Sequence, residues 1–251
     1  MQNIVSYFSD SEFNDSSDLF FGNRSVTYSG AGNSSSKALV VSNVLRLAAS
    51  NGAKVGDILW VVDNATEMEK IRKTASIWGS RPVHGFKALE EEDRSEFSTT
   101  SEFEREKSVR FTEFMSRIIE GDAFFVIPFS AVFKKFPSSR ELIEKRFKLK
   151  VGEEMDVVAF IEKLVDVGHD NTDDEYLKKG QYYKVGDSVV LWPVNTDEVY
   201  RVEFNFEKVE SICRYDAEKK KDNGSRKGVM IYPVEYEEEM DGVIDAFDKD
   251  S

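Results

Sequence analysis

Apolar and polar positions alternate along Val199-Tyr-Arg-Val-Glu-Phe-Asn-Phe206. In an extended strand, Val202, Phe204 and Phe206 then share one face, and Arg201, Glu203 and Asn205 share the other. Upstream the period changes. Residues 37–50 repeat at helical spacing, with Leu39, Val40, Val44, Leu47 and Ala48 on one side. Ile58 to Val62 is a continuous apolar run, as in a strand buried on both faces. A capping box at Asn64-Ala-Thr-Glu67 predicts a helix to about Trp78. A second, at Ser101-Glu-Phe-Glu104, predicts a helix striped by Phe111, Phe114, Met115, Ile118 and Ile119. Residues 122–127 predict another buried strand, stopped by Pro128, and Ser138 caps a short helix. This loop, helix, strand, helix order is that of an α/β layer with parallel strands.

From Leu149 the pattern is different. It predicts a strand, then a helix over about 155–166 with Val157, Val158, Ile161, Leu164 and Val165 inward, then three or four closely spaced strands. Residues 219–227 read as a charged hairpin or linker, and Val229 to Tyr232 as a final strand before an acidic tail. These elements predict an α+β subdomain whose sheet carries a polar face.

The 251-residue chain is 40% hydrophobic and holds 19 Phe, enough to build a core. Its net charge of −13 argues against a dedicated nucleic-acid binder, since phosphate contacts need Lys and Arg. One local exception stands out. Lys134, Lys135, Arg140, Lys145, Arg146, Lys148 and Lys150 face only Glu141 and Glu144, a pattern open to a solvated face, to nucleic acid or to an acidic partner. A single cysteine, Cys213, fits a reducing compartment and reads as a small buried hydrophobe. With no signal-like start and no long apolar run, the expectation is a cytoplasmic protein without membrane partners.

Candidate chemistry is sparse. The loop Ser29-Gly-Ala-Gly-Asn-Ser-Ser-Ser36 precedes a helix, as a phosphate cradle does. A phosphate loop needs G-x-x-x-x-G-K-[ST]. Counted from Gly30, the second Gly and the Lys are Ser35 and Ser36; counted from Gly32, they are Lys37 and Ala38. Neither register works, so the expectation is a loop-to-helix turn, with vestigial nucleotide binding as the alternative. His84 and His169 lie far apart beside glycines, with no His/Cys cluster for a metal. No cofactor and no catalysis are expected. Arg201 is the notable single residue, either exposed or paired with Glu203 or Glu210.

On these residues the chain resembles the N-terminal module shared by the transcription-repair coupling factor (Mfd) and the excision-repair subunit UvrB. The resemblance rests on Val126 to Val132, Leu149 to Asp156, Leu164 to Gly168, Lys179 to Gln181, Val185 to Asp187, Leu191 to Pro193, Tyr200 to Phe204, Val209 to Ile212 and Tyr215-Asp216. It implies a degenerate helicase-like, P-loop-type parallel-sheet subdomain over 1–130 and a smaller α+β interaction subdomain over 131–216. Residues 217–251 would then supply a return strand and the tail. It further implies docking of the damage-recognition ATPase UvrA through Lys184, Val185, Arg201, Glu203, Asn205 and Glu207. The broken loop favours the coupling-factor branch, whose translocation, and any RNA polymerase or DNA contact, would need sequence beyond Ser251. Lys134, Lys135, Arg140, Lys145 and Arg146 remain the candidate nucleic-acid patch. Two positions depart from the family: Val185 stands where it has Arg, and Asn205 where it has a second Phe.

Overall fold

The computed structural model describes residues 32–52, 55–79, 81–90, 95, 99–174, 176–236 and 240–244. Ser29, Gly30 and Ala31 of the Gly/Ser loop and most of the acidic tail lie outside them. The described residues fall into two compact units, one within Met1–Lys87 plus Glu120–Lys134, the other within Ala88–Ile119 plus Lys135–Ser251. The fold is mixed α/β, with a parallel sheet in the first unit and mostly antiparallel sheets in the second.

In the first unit, β1 (Ile58–Val62), β2 (Val83–Gly85) and β3 (Phe124–Pro128) form a parallel sheet in the order β1-β3-β2. Every residue of β3 is buried, as befits a central strand. β1, expected to be buried on both faces, is instead an edge strand among the described residues, and Val61 is 40% exposed. The apolar run alone does not distinguish the two positions. Helix α1 (Ser34–Ser50) buries Ala38, Val44, Leu47 and Ala48, while Leu39 and Val40 remain half-exposed. Helix α2 (Ala65–Trp78) starts where expected, with the Asn64 side chain accepting from the Glu67 N–H at 2.9 Å.

In the second unit, α3 (Thr100–Glu120) is capped earlier than the sequence suggests. The reciprocal pair is Thr99 with Glu102: the Thr99 N–H donates to Glu102 Oε2 at 2.8 Å and the Glu102 N–H to Thr99 Oγ1 at 3.2 Å. The Thr99 N–H, and after it the Thr99 hydroxyl donating to the same Oε2 at 2.8 Å, hold the Glu102 carboxyl below its usual range. After α3 come β4 (Lys135–Pro137), α4 (Ser139–Lys145), β5 (Phe147–Lys150) and α5 (Val157–Asp166). Ser138 stands at the α4 N-cap without a side-chain capping bond.

A six-stranded sheet follows, β11-β10-β9-β8-β7-β6, built from β6 (Asp170–Asn171), β7 (Gln181–Val185), β8 (Ser188–Trp192), β9 (Tyr200–Asn205), β10 (Lys208–Asp216) and β11 (Lys221–Ser225). All its pairings are antiparallel except β6 with β7. Val229 to Tyr232, expected to return to the first subdomain, instead contributes β12 (Gly228–Ile231), antiparallel to β5. A further strand, β13 (Met240–Gly242), pairs with β4.

The inner face of the large sheet packs on α5 and on the β5–β12 pair. Phe160, Leu164, Val189, Leu191, Val202, Val209 and Ile231 form its center. Phe160 lies 5.5 Å from Phe204 and 6.4 Å edge-on from Phe147, spacings at which aromatic pairs attract. Val158 and Val165, expected inward, are each 57% exposed. The buried stripe runs through Phe160 and Leu164, with Val157 and Ile161 half-buried beside it, because the large ring sets which face turns to the sheet.

Candidate functional site

The outward face of the sheet is organised around β9. Val202 and Phe204 point to the core, leaving Arg201 and Glu203 half-exposed and Asn205 exposed. Arg201 is opposite Val190 on β8 and Cys213 on β10, so these three share the outward face. Val190 is only 2% exposed, so that face is covered at its middle.

Arg201 binds two carboxylates. Its Nη2 donates to Glu203 Oε1 at 2.6 Å and to Asp222 Oδ2 at 2.8 Å. Glu203 Oε2 also accepts from Ser211 Oγ at 2.7 Å. The guanidinium lies 5.9 Å from the center of the Tyr215 ring, within cation–π range. A second cluster centers on Glu198, which pairs with Arg214 Nη2 at 2.5 Å, with Arg226 Nη2 at 3.6 Å and with Tyr200 OH at 3.0 Å. Burial, above all, pushes the Tyr200 hydroxyl above its ordinary pKa, so it stays protonated.

These ion pairs are about one-third exposed, and such pairs contribute about 0–1 kcal/mol each. Their effect is to hold planar groups in place. Both pairs of Arg201 run through Nη2, so Nη1 takes part in neither.

Of the other residues singled out in the sequence, Lys184 and Val185 close β7 and are exposed. Glu207 is exposed on the β9–β10 turn. Glu210 falls at an irregularity in the β9–β10 register; the second partner of Arg201 is Asp222. Asp222 was missed because it lies within the charged segment 219–227. Only the pairing of Tyr215 with Asp222, which folds β11 back onto β10, brings it alongside.

Lys134 belongs to the first unit and Lys135, Arg140, Lys145 and Arg146 to the second. Arg140 pairs with Glu144 at 2.9 Å and Lys145 with Glu141 at 2.7 Å, and Lys135 is exposed on β4. Arg146 donates to Tyr232 OH at 2.6 Å and lies over its ring. Most of the positive charge on α4 is therefore met within the chain.

The start of α1 is similarly occupied. Asn33 accepts from the Ser36 N–H at 2.9 Å, Ser34 Oγ donates to Glu67 Oε1 at 2.9 Å, and the Trp78 indole donates to Ser35 Oγ at 3.1 Å. A carboxylate there opposes an incoming phosphate. Among the described residues, no helix is long and apolar enough to cross a membrane.

Known proteins match the stretch that carries this face. Residues 147–236 match the UvrB interaction domain. Over 100 residues the chain is 34% identical to UvrABC system protein B of Bacillus caldotenax, covering 39% of this chain and 15% of that protein. It is 34% identical over 87 residues to that of Thermotoga neapolitana, covering 35% and 13% respectively. With that of Thermosipho africanus it shares 25% identity over 128 residues, covering 51% and 19%. The chain thus spans less than one-fifth of the length of these relatives.

Proposed function

We propose that this chain is a non-catalytic docking module of nucleotide excision repair that binds a UvrA-type protein through the outward face of its six-stranded sheet. The observation that carries this reading is a coincidence of position: the stretch matching the UvrB interaction domain holds β5 to β12, and with them the whole network around Arg201. The face is suited to protein contact. It offers an arginine pre-oriented by two carboxylates and a tyrosine ring, flanked by the half-buried aromatics Tyr183 and Trp192. Arginine and aromatic side chains held in place are the residues that dominate protein interfaces. Nη1 of Arg201 is left to meet an acceptor on the partner without disturbing either internal pair.

Placement in the transcription-coupled branch belongs to the same proposal, and rests on the failed phosphate-loop register at Ser35 and Ser36. The occupied hydroxyls and the Glu67 carboxylate at the start of α1 weigh against the nucleotide-binding alternative.

Titration calorimetry against the UvrA of the same organism tests the reading. Wild-type protein should bind, and Arg201→Glu should weaken binding by about 1–3 kcal/mol. Equal affinity for wild type and variant would remove Arg201 from the interface.

A further inference from the structure

Phe206 is 93% exposed and has a φ of 54°. That is the left-handed region, where a bulky side chain is unusual. An exposed aromatic in a disfavoured backbone conformation brings no burial to the fold, and such outliers cluster at functional positions.

Phe206 is not isolated. The β7–β8 turn, with Gly186 at φ 59°, lies at the same end of the sheet, since the Phe204 N–H donates to Asp187 O at 3.0 Å. Val185, just before that turn, is 60% exposed. A third turn, beginning at Val151, is tied to the same hairpin: the Gly152 N–H donates to Val209 O and the Met155 N–H to Glu207 O, each at 2.8 Å. Val151 is 43% exposed. Three turns thus bring Val151, Val185 and Phe206 to one edge. Around them Lys150, Lys184 and Lys208 stand against Glu153, Glu154, Asp187 and Glu207, so the three apolar side chains sit within a rim of mixed charges that nearly cancel.

We infer that this edge is the apolar anchor of the docking surface, with Phe206 inserting into an uncharged apolar recess of the UvrA-type partner. The inference rests on the function proposed above. It commits to that partner because the edge is continuous with the Arg201 face. Phe206 lies five residues along the chain from Arg201, about 17 Å at strand rise. A standard interface of about 800 Å² per side is roughly 30 Å across, so one partner covers both.

The test compares Phe206→Gly, Phe206→Asn and Arg201→Glu with wild type, by calorimetry against UvrA and by thermal denaturation. Gly and Asn both tolerate the left-handed conformation. The two Phe206 variants should melt no lower than wild type yet bind about tenfold or more weakly. Should either Phe206 variant that melts no lower than wild type bind as wild type does while Arg201→Glu fails, the anchor is refuted and the docking reading stands. If neither Arg201→Glu nor the Phe206 variants lose affinity, both readings fall. Melting of both Phe206 variants well below wild type would also refute the inference, making the ring a structural element. Sedimentation showing a dimer that Phe206→Gly dissociates would assign the edge to a second copy instead.

Discussion

His169 is 2% exposed just beyond α5, and neither ring nitrogen has a hydrogen-bond partner. Burial, then the nearby positive charge of Arg105, pushes its pKa down from 6.5 to about 3. Above pH 6.5 the ring is neutral in both folded and unfolded chains, and its contribution to stability is complete. As pH falls below that value, the unfolded chain takes up a proton that the folded chain refuses. Stability is then lost at up to about 1.4 kcal/mol per pH unit, until the folded ring itself titrates. Urea midpoints measured from about pH 7 to pH 4.5 should fall more steeply for wild type than for His169→Leu. Identical slopes would mean that water reaches the imidazole. The sequence shows none of this: His169 stands between Gly168 and a run of polar residues and reads as loop. The residues that enclose it come from elsewhere. Arg105 donates to Gly168 O at 3.0 Å, and Glu235 fills the space where a Gly168 side chain would project.

Elements were more legible than single residues, because periodicity and caps are local signals. The helix after Asn64, the long apolar-striped helix and the alternating β9 ribbon occupy nearly their expected ranges. Failures occur where two local solutions compete. Two overlapping sequences, Thr99 to Glu102 and Ser101 to Glu104, each spell a capping box, and only packing chooses between them. The structure selects the first, with both reciprocal bonds made. Thr99→Ala should therefore destabilise the chain by about 1 kcal/mol. Ser101→Ala, whose hydroxyl reaches only Thr99 Oγ1, should change stability by less than about 0.5 kcal/mol. Denaturant midpoints decide the matter, and a larger loss from Ser101→Ala would restore the register read from sequence. The α5 face is the same kind of failure: several valines offered alternative stripes, and Phe160, entering between Phe147 and Phe204, determined which was buried.

At the scale of the molecule, the sequence gives little sign that the proposed docking sheet packs against a helix far upstream. Its match to known proteins begins at residue 147, but its folding unit includes Ala88–Ile119. From α3, Arg105 bonds Gly168 O at 3.0 Å and Gly180 O at 2.9 Å and pairs with Asp170 at 2.6 Å. Lys179, in the turn before β7, pairs with Glu113 of the same helix. Phe111 and Phe114 pack on Phe136 at 4.9 and 5.9 Å. Truncating one buried Phe costs about 3–5 kcal/mol, against a total of about 5–15 kcal/mol for a domain. Losing two such rings together with the Arg105 clamp is a loss comparable to that whole margin. A fragment of residues 135–251 should accordingly show no cooperative thermal transition, whereas residues 88–251 should melt cooperatively and bind UvrA as the full chain does. If the shorter fragment melts within a few degrees of the longer one, the sheet and α5 suffice, and α3 is an accessory rather than a wall of the core. The outcome also bears on the proposed docking face, because Arg201 and Asp222 meet only while β9, β10 and β11 hold their register. A fragment with a loosened core should lose affinity for the partner even with every interface residue present.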